Sequence, residues 1–239
     1  MYPGPVRAAI QPQATRLDQV TWAVQARVRR ASGWVPPFRA ASRDRWASGL
    51  AASWRPADPV ALDLDWSWLW DSTPAGGAIS GPGDLRLGVR TEHQLGSLEL
   101  AGGWQVKLPN AQDQGELGSD ETDVRFLGTA GHRWARMALR LSGGLEIRGD
   151  PIRFASQDDV PLAWLSGVGQ VGPVDLSGRV GGDLATARSP ARLEAGLGVA
   201  WGSQLHLGTE LTVGLTPAAA DWGAGAWVGW GAVPSPRRD

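Results

Sequence analysis

The sequence predicts an all-β chain closed into an antiparallel up-and-down barrel of about twelve strands, and three observations carry that reading. Apolar and polar side chains alternate with a period of two along most of its 239 residues. The connections between these segments are short and long by turns. Tryptophan, used 14 times, gathers near the ends of the apolar faces.

Each element follows from the alternation, because successive side chains of a strand point to opposite faces. Trp22, Val24, Ala26 and Val28 oppose Gln25, Arg27 and Arg29, and Trp46, Leu50, Ala52 and Trp54 oppose Arg45, Gly49, Ser53 and Arg55. In VALDLDWSWLWD, Val60, Leu62, Leu64, Trp66, Trp68 and Trp70 share one parity, with Asp63, Asp65, Ser67 and Asp71 on the other. Leu85, Leu87 and Val89 oppose Asp84, Arg86, Arg90 and Glu92, and Leu98, Leu100, Trp104, Val106 and Leu108 oppose Glu99, Gln105 and Lys107. Val124 and Phe126 alternate with Asp123 and Arg125, and Met137, Leu139, Leu141, Leu145 and Ile147 with Arg136, Arg140, Glu146 and Arg148. VPLAWLSGVGQV, 160–171, is apolar on both parities and reads as a loop or plug packed inside. Val174, Leu176, Val180 and Leu184 face away from Asp175, Arg179 and Asp183; Leu193, Ala195, Leu197, Val199 and Trp201 from Arg192 and Glu194. Leu205, Leu207, Leu211, Val213 and Leu215 oppose His206 and Glu210, and Trp222, Ala224, Ala226, Val228 and Trp230 oppose a mostly glycine face.

The connections RPADP, HQLGS, HRWAR, VGPV and GSQ are short, whereas SGWVPPFRAASRD, STPAGGAISGPG, PNAQDQGELGSDET and DPIRFASQDD are long. LATARSP and TPAAAD are intermediate. A meander with two such unlike ends matches transmembrane barrels, with short periplasmic turns and longer extracellular loops.

Which face meets the outside follows from three arguments. The segments run to roughly 9–12 residues, the length a tilted strand needs to cross a bilayer. Trp46, Trp54, Trp66, Trp68, Trp70, Trp104, Trp201, Trp222 and Trp230 are placed as interfacial aromatics, one edge in lipid and the indole N–H near headgroups. The apolar parity is almost free of charge, as a lipid-facing surface requires. The apolar side is therefore expected outside and the ionisable side enclosed, within one domain over 1–239 with an N-terminal extension (1–16) and a C-terminal tail (234–239).

Composition excludes other classes. A net charge of -1 and pI near 6.3 give no nucleic-acid footprint. There is no cysteine, hence no disulfide or thiolate metal site. The 33 glycines interrupt the apolar stretches, and none of these is long enough for a transmembrane helix. The opening MYPGPVRAAIQPQATRLD lacks the apolar run of a secretory leader, so an exported form is expected to be a mature one.

The block GDLRLGVRTE (83–92), the Leu-rich strand after it and KLPNAQDQGELGSDETD (107–123) resemble the outer-membrane β-barrels of the phenol meta-cleavage-pathway (MetA-pathway phenol degradation-like) transporter family. The resemblance covers Gly83 to Gly149, with the other strands matching in pattern. It implies a bacterial outer-membrane channel or transporter for small, often aromatic or apolar compounds. The end AWVGWGAVPSPRRD departs from the strand-terminal aromatic expected for barrel assembly, and Trp230 is expected to stand in that place.

Function on this reading comes from the inward parity. Asp63, Asp65, Asp84, Arg86, Arg90, Glu92, Glu99, Lys107, Arg125, Arg136, Arg140, Glu146, Arg148, Asp175, Arg179, Asp183, Arg192, Glu194 and Glu210 would line a narrow lumen. Arg86, Arg90, Arg136 and Arg140 would form its cationic side, either as a selectivity region or as pairs that fill the bore. No cofactor, metal or catalytic group is expected. Asp113, Glu116, Asp120, Glu121 and Asp123 read as a solvated acidic loop, and His93, His132 and His206 lack metal-ligand spacing. The glycines of GVGQVG, 167–172, read as tight strand packing. The expected partners are a lipid bilayer and a small solute. Two further readings are a lipase-like enzyme at the lipid boundary, with a serine beside His206, and a soluble ligand-binding barrel with tryptophans turned inward.

Overall fold

The computed structural model describes residues 22–34, 43–57, 59–72, 77–110, 117, 122–149, 158–186, 190–202 and 205–232. Its strands are β1 (Trp22–Trp34), β2 (Arg43–Ala57), β3 (Val60–Ser72), β4 (Ala78–Pro82), β5 (Leu85–Leu95), β6 (Leu98–Leu108), β7 (Asp123–Arg133), β8 (Met137–Arg148), β9 (Asp158–Val171), β10 (Val174–Asp183), β11 (Arg192–Gly202), β12 (Leu205–Gly214) and β13 (Trp222–Ala232). Every neighbour is antiparallel. The sheet closes because β1 pairs on one side with β2 and on the other with β13, from Trp22↔Ala232 to Ser32↔Trp222.

The 13 strand segments make a 12-strand wall. β4 and β5 are two parts of one wall strand: β3 pairs with β5 along its lower part (Val60↔Thr91 to Asp65↔Arg86) and with β4 at its upper end (Trp68↔Pro82 to Ser72↔Ala78). Gly83 and Asp84 separate them, and the Gly83 N–H donates to the Ser67 carbonyl at 2.7 Å. Part of STPAGGAISGPG is thus strand rather than loop. Its glycines and proline hide the period of two.

β9 corrects a second expectation. The 160–171 stretch is neither loop nor plug; it is a full wall strand, in register with β8 (Arg148↔Asp158 to Met137↔Gly169) and β10 (Leu162↔Asp183 to Val171↔Val174). It is apolar on both parities because its inner residues Val160, Leu162 and Val168 are buried within the barrel while Leu165 and Val171 are exposed on its exterior.

The short connections are tight because their geometry is. Leu95 pairs with Leu98 and Val171 with Val174, leaving two-residue hairpin loops that open on Gly96 (φ 63) and Gly172 (φ 62). A hairpin turn matched to strand twist needs a positive φ there, which glycine adopts without a Cβ penalty.

The orientation is the expected one. Leu197 is 73% exposed, Leu211 65% and Leu141 62%, while Asp65, Asp71, Lys107, Asp123 and Glu146 are almost fully buried. A soluble barrel with tryptophans turned inward is therefore overturned. Trp46, Trp68, Trp70, Trp104 and Trp222 lie on the outer parity toward the long-loop end, and Trp54, Trp201 and Trp230 toward the other. Trp22 and Trp230 meet edge to face, centroids 5.3 Å apart. Arg30 lies 5.4 Å from the Trp46 ring centre and 5.2 Å from that of Trp222, with its Nη2 donating to Asp44 at 3.0 Å. For this guanidinium on the outer parity, the cation–π contacts and the carboxylate offset its partial burial. Trp66 is the exception among the expected interfacial residues: it sits at the midpoint of β3 across from Leu50, within the apolar band.

Substituting Leu211→Arg places a cation on the lipid face and is expected to cost about 2–4 kcal/mol if it lies near the midplane. Denaturant titration of the protein folded into lipid vesicles measures this cost.

Candidate functional site

Pairing in register brings the inner charges into three tiers. Toward the long-loop end, Arg45 clamps Asp71 through Nε to Oδ1 at 2.6 Å and Nη2 to Oδ2 at 2.5 Å. Lys107 Nζ lies 2.8 Å from Asp123 Oδ2 and 3.6 Å from Asp84 Oδ2, all three side chains being buried. Arg125 donates to Glu146 at 3.1 Å, and Arg148 reaches Asp183 at 2.6 Å and Glu146 at 3.5 Å. Leu117, the described residue of the long β6–β7 connection between 110 and 122, is buried against Ala47, Leu69 and Ile79 and adds an apolar contact at this end.

At mid-height, Arg27 donates to Asp65, whose other oxygen lies 3.8 Å from Arg86. Arg179 donates to Glu194 at 3.1 Å and lies 3.5 Å from Glu210, with its guanidinium 5.6 Å from the Trp164 ring centre. Arg29 donates to Thr212 at 3.1 Å and stands 3.9 Å from both Glu194 and Glu210. Toward the short-turn end, Arg90 donates to Asp63 at 2.7 Å and to Ser53 at 3.1 Å, and Arg55 pairs with Glu92. Glu99 is shared by Arg133 and Arg140, the latter at 2.5 Å.

Glycine makes room for these groups. On β11–β13 the inner parity is mostly glycine, and a Cβ at Gly196, Gly223 or Gly225 would stand 3.3–3.4 Å from atoms of Arg179, Arg29 or Glu210. At Gly208 a Cβ would come within 2.4 Å of the Trp227 ring, so the one bulky residue on that face of β13 lies flat against β12.

Of the expected lumen residues, Asp63, Asp65, Arg86, Arg90, Glu99, Arg125, Arg140, Arg179, Glu194 and Glu210 join these networks. Asp175 lies on the inner parity at the short-turn end of β10, and Arg192 at the long-loop end of β11 opposite Asp183. Arg136 is a correction: it sits in the β7–β8 turn and is exposed, because the strand begins at Met137. Sequence reasoning left out Arg27, Arg29, Arg45, Arg55 and Asp71, although all five lie on the charged parity, and it read Arg133 as part of the connection HRWAR, whereas that residue ends β7 and pairs with Glu99. It also missed Trp164 and Trp227 as inner residues; their signal was an aromatic standing among small or charged inner neighbours. Asp113, Glu116, Asp120 and Glu121 lie outside the described residues, and Asp123 belongs to β7 rather than to a loop.

These ion pairs are buried, where two charges attract strongly but each has lost its hydration. Their geometry can do two things: hold opposite walls at fixed separation and set the charge met by anything in the bore.

No protein-family model and no curated protein matches this chain. Solved structures do. The COG4313 outer membrane channel from Pseudomonas putida F1 superposes with a TM-score of 0.70 at 15% identity, covering 89% of this chain and 96% of that one. The fold is that of the bacterial outer-membrane barrels. The KdgM porin follows with a TM-score of 0.60 at 7% identity (87% and 98% covered), and the translocator domain of the autotransporter NalP from Neisseria meningitidis with 0.52 at 11% (88% and 88%).

Replacing Lys107→Met leaves Asp84 and Asp123 buried side by side without their shared cation. The expected loss is about 3–5 kcal/mol of stability, read as a lower denaturant midpoint in vesicles. A triple variant that also carries Asp84→Asn and Asp123→Asn recovers part of it.

Proposed function

We propose that this chain is a passive outer-membrane channel for small solutes with a narrow, charged lumen. The observation that carries the reading is the division of the wall: leucine and tryptophan outside, arginine–carboxylate pairs inside on every tier. A purely structural barrel needs the first and gains little from the second, since apolar packing of similar volume stabilises as well as buried ion pairs do. Rings of charged side chains are what a selectivity region uses. The fold shared with outer-membrane channels supports the same reading.

The solute class belongs to this proposal as well. The resemblance of 83–149 to the phenol meta-cleavage-pathway barrels implies small aromatic or apolar compounds. Inner residues Val160, Leu162, Trp164 and Val168 of β9 form an apolar strip on the inner face beside the charges. The enzyme reading has less behind it, because His206 is on the inner parity of β12 rather than at the lipid boundary.

Refolded into planar bilayers, the protein is expected to give discrete conductance steps, and in liposomes solute-dependent swelling. Inert bilayers and liposomes, with the barrel demonstrably folded, would show a closed structural barrel instead. Arg90→Ala frees Asp63 and Ser53 and is expected to alter conductance without altering heat-modifiable gel mobility.

A further inference from the structure

The mid-height tier does not balance. Arg27, Arg29, Arg86 and Arg179 face Asp65, Glu194 and Glu210, four guanidiniums against three carboxylates. The charged groups that act most strongly on Arg27 and Arg29 are drawn from this same set. Among the described residues of this tier, one positive charge is left over in a buried position, where an unpaired ion is costly.

The surplus has a location. Among the described residues, Arg27 Nη1 and both Nε and Nη1 of Arg29 are buried without a hydrogen-bond partner. Both side chains are more than nine-tenths buried, so bulk water does not satisfy these donors. Arg29 has its two carboxylates only at 3.9 Å, beside the hydrogen bond from its Nη2 to Thr212. Arg27 and Arg29 both line a cavity of about 10 Å³, bounded also by Ala47, Glu210, Gly225 and Trp227. That is space for one water-sized occupant. The Glu210 carboxylate in its wall is engaged by Arg179 and Arg29, and so does not restore the balance.

We propose that Arg27 and Arg29 hold one small monovalent anion in this cavity, which makes the mid-height tier an anion-binding site. The occupant neutralises the surplus charge and accepts hydrogen bonds from the orphaned N–H groups. The binding stands on the geometry alone. Its consequence for transport, that the lumen favours anions over cations, rests on the channel reading.

Binding is read from the NMR line width of chloride added to the refolded barrel in zwitterionic detergent. The wild-type protein is expected to broaden the chloride line saturably. Arg29→Met removes one charge and the orphaned donors while Arg179 still holds Glu194 and Glu210; it should weaken chloride binding about tenfold. Glu210→Gln removes a negative charge from the wall without removing a donor and should tighten binding, and it keeps the test decisive if Arg29→Met fails to fold. The cavity's size admits a halide but not acetate, so chloride is expected to resist acetate; displacement by acetate would place the ion outside this cavity and overturn the site. Equal broadening by the wild type and the variants would overturn the site. In bilayers under a KCl gradient, the reversal potential should lie on the anion side and move toward zero in Arg29→Met. A barrel that binds chloride through Arg29 yet never conducts would uphold the site and defeat the channel reading. One that conducts but shows no Arg29-dependent binding would do the reverse.

Discussion

In hydrocarbon a backbone amide has no water to pair with, and this requirement governs the whole molecule. An open sheet would leave two edges of N–H and C=O groups unpaired, so the meander must close, and β1 meeting β13 closes it. Closure in turn forces a division of side chains. Alternate residues have nowhere to point but lipid or lumen, and the lipid admits only apolar groups. What the lumen receives is everything the lipid excludes.

That exclusion explains why the interior is so heavily cross-linked. Arginine and carboxylates packed into a narrow bore lose hydration, and each must find a partner on a neighbouring or facing strand. The pairs at Arg45–Asp71, Lys107–Asp123 and Arg148–Asp183 do so toward the long-loop end, and those around Glu92 and Glu99 toward the short-turn end. Between them the balance is imperfect. There, among the described residues, Arg27, Arg29, Arg86 and Arg179 stand against Asp65, Glu194 and Glu210.

Glycine serves the same economy of space. Long guanidiniums rooted on β1 and β10 reach across the bore because β11–β13 place little but backbone in their way. The same strands carry leucine, valine and tryptophan outside, so their sequence alternates large with absent side chains instead of apolar with charged. Trp227 lies on this smooth surface against Gly208.

The period of two, the unlike connections and the uncharged apolar parity made the architecture legible in the sequence, since a one-residue slip would put arginine into lipid at strand after strand. They settled the closed barrel, its orientation, the positions of most wall strands and the inward parity of Asp63, Asp65, Arg90 and Arg140. Parity says which face a side chain takes but not whom it meets across a bore. The tertiary structure alone decided that Glu99 is shared by Arg133 and Arg140, and that Arg27 and Arg29 stand in surplus. It also decided that Arg136 falls in a turn and that the apolar stretch 160–171 is wall rather than plug. The reason is geometric: alternation is a property of one strand, whereas partners across the lumen depend on closure, register and the room left by glycine on strands far away in the chain.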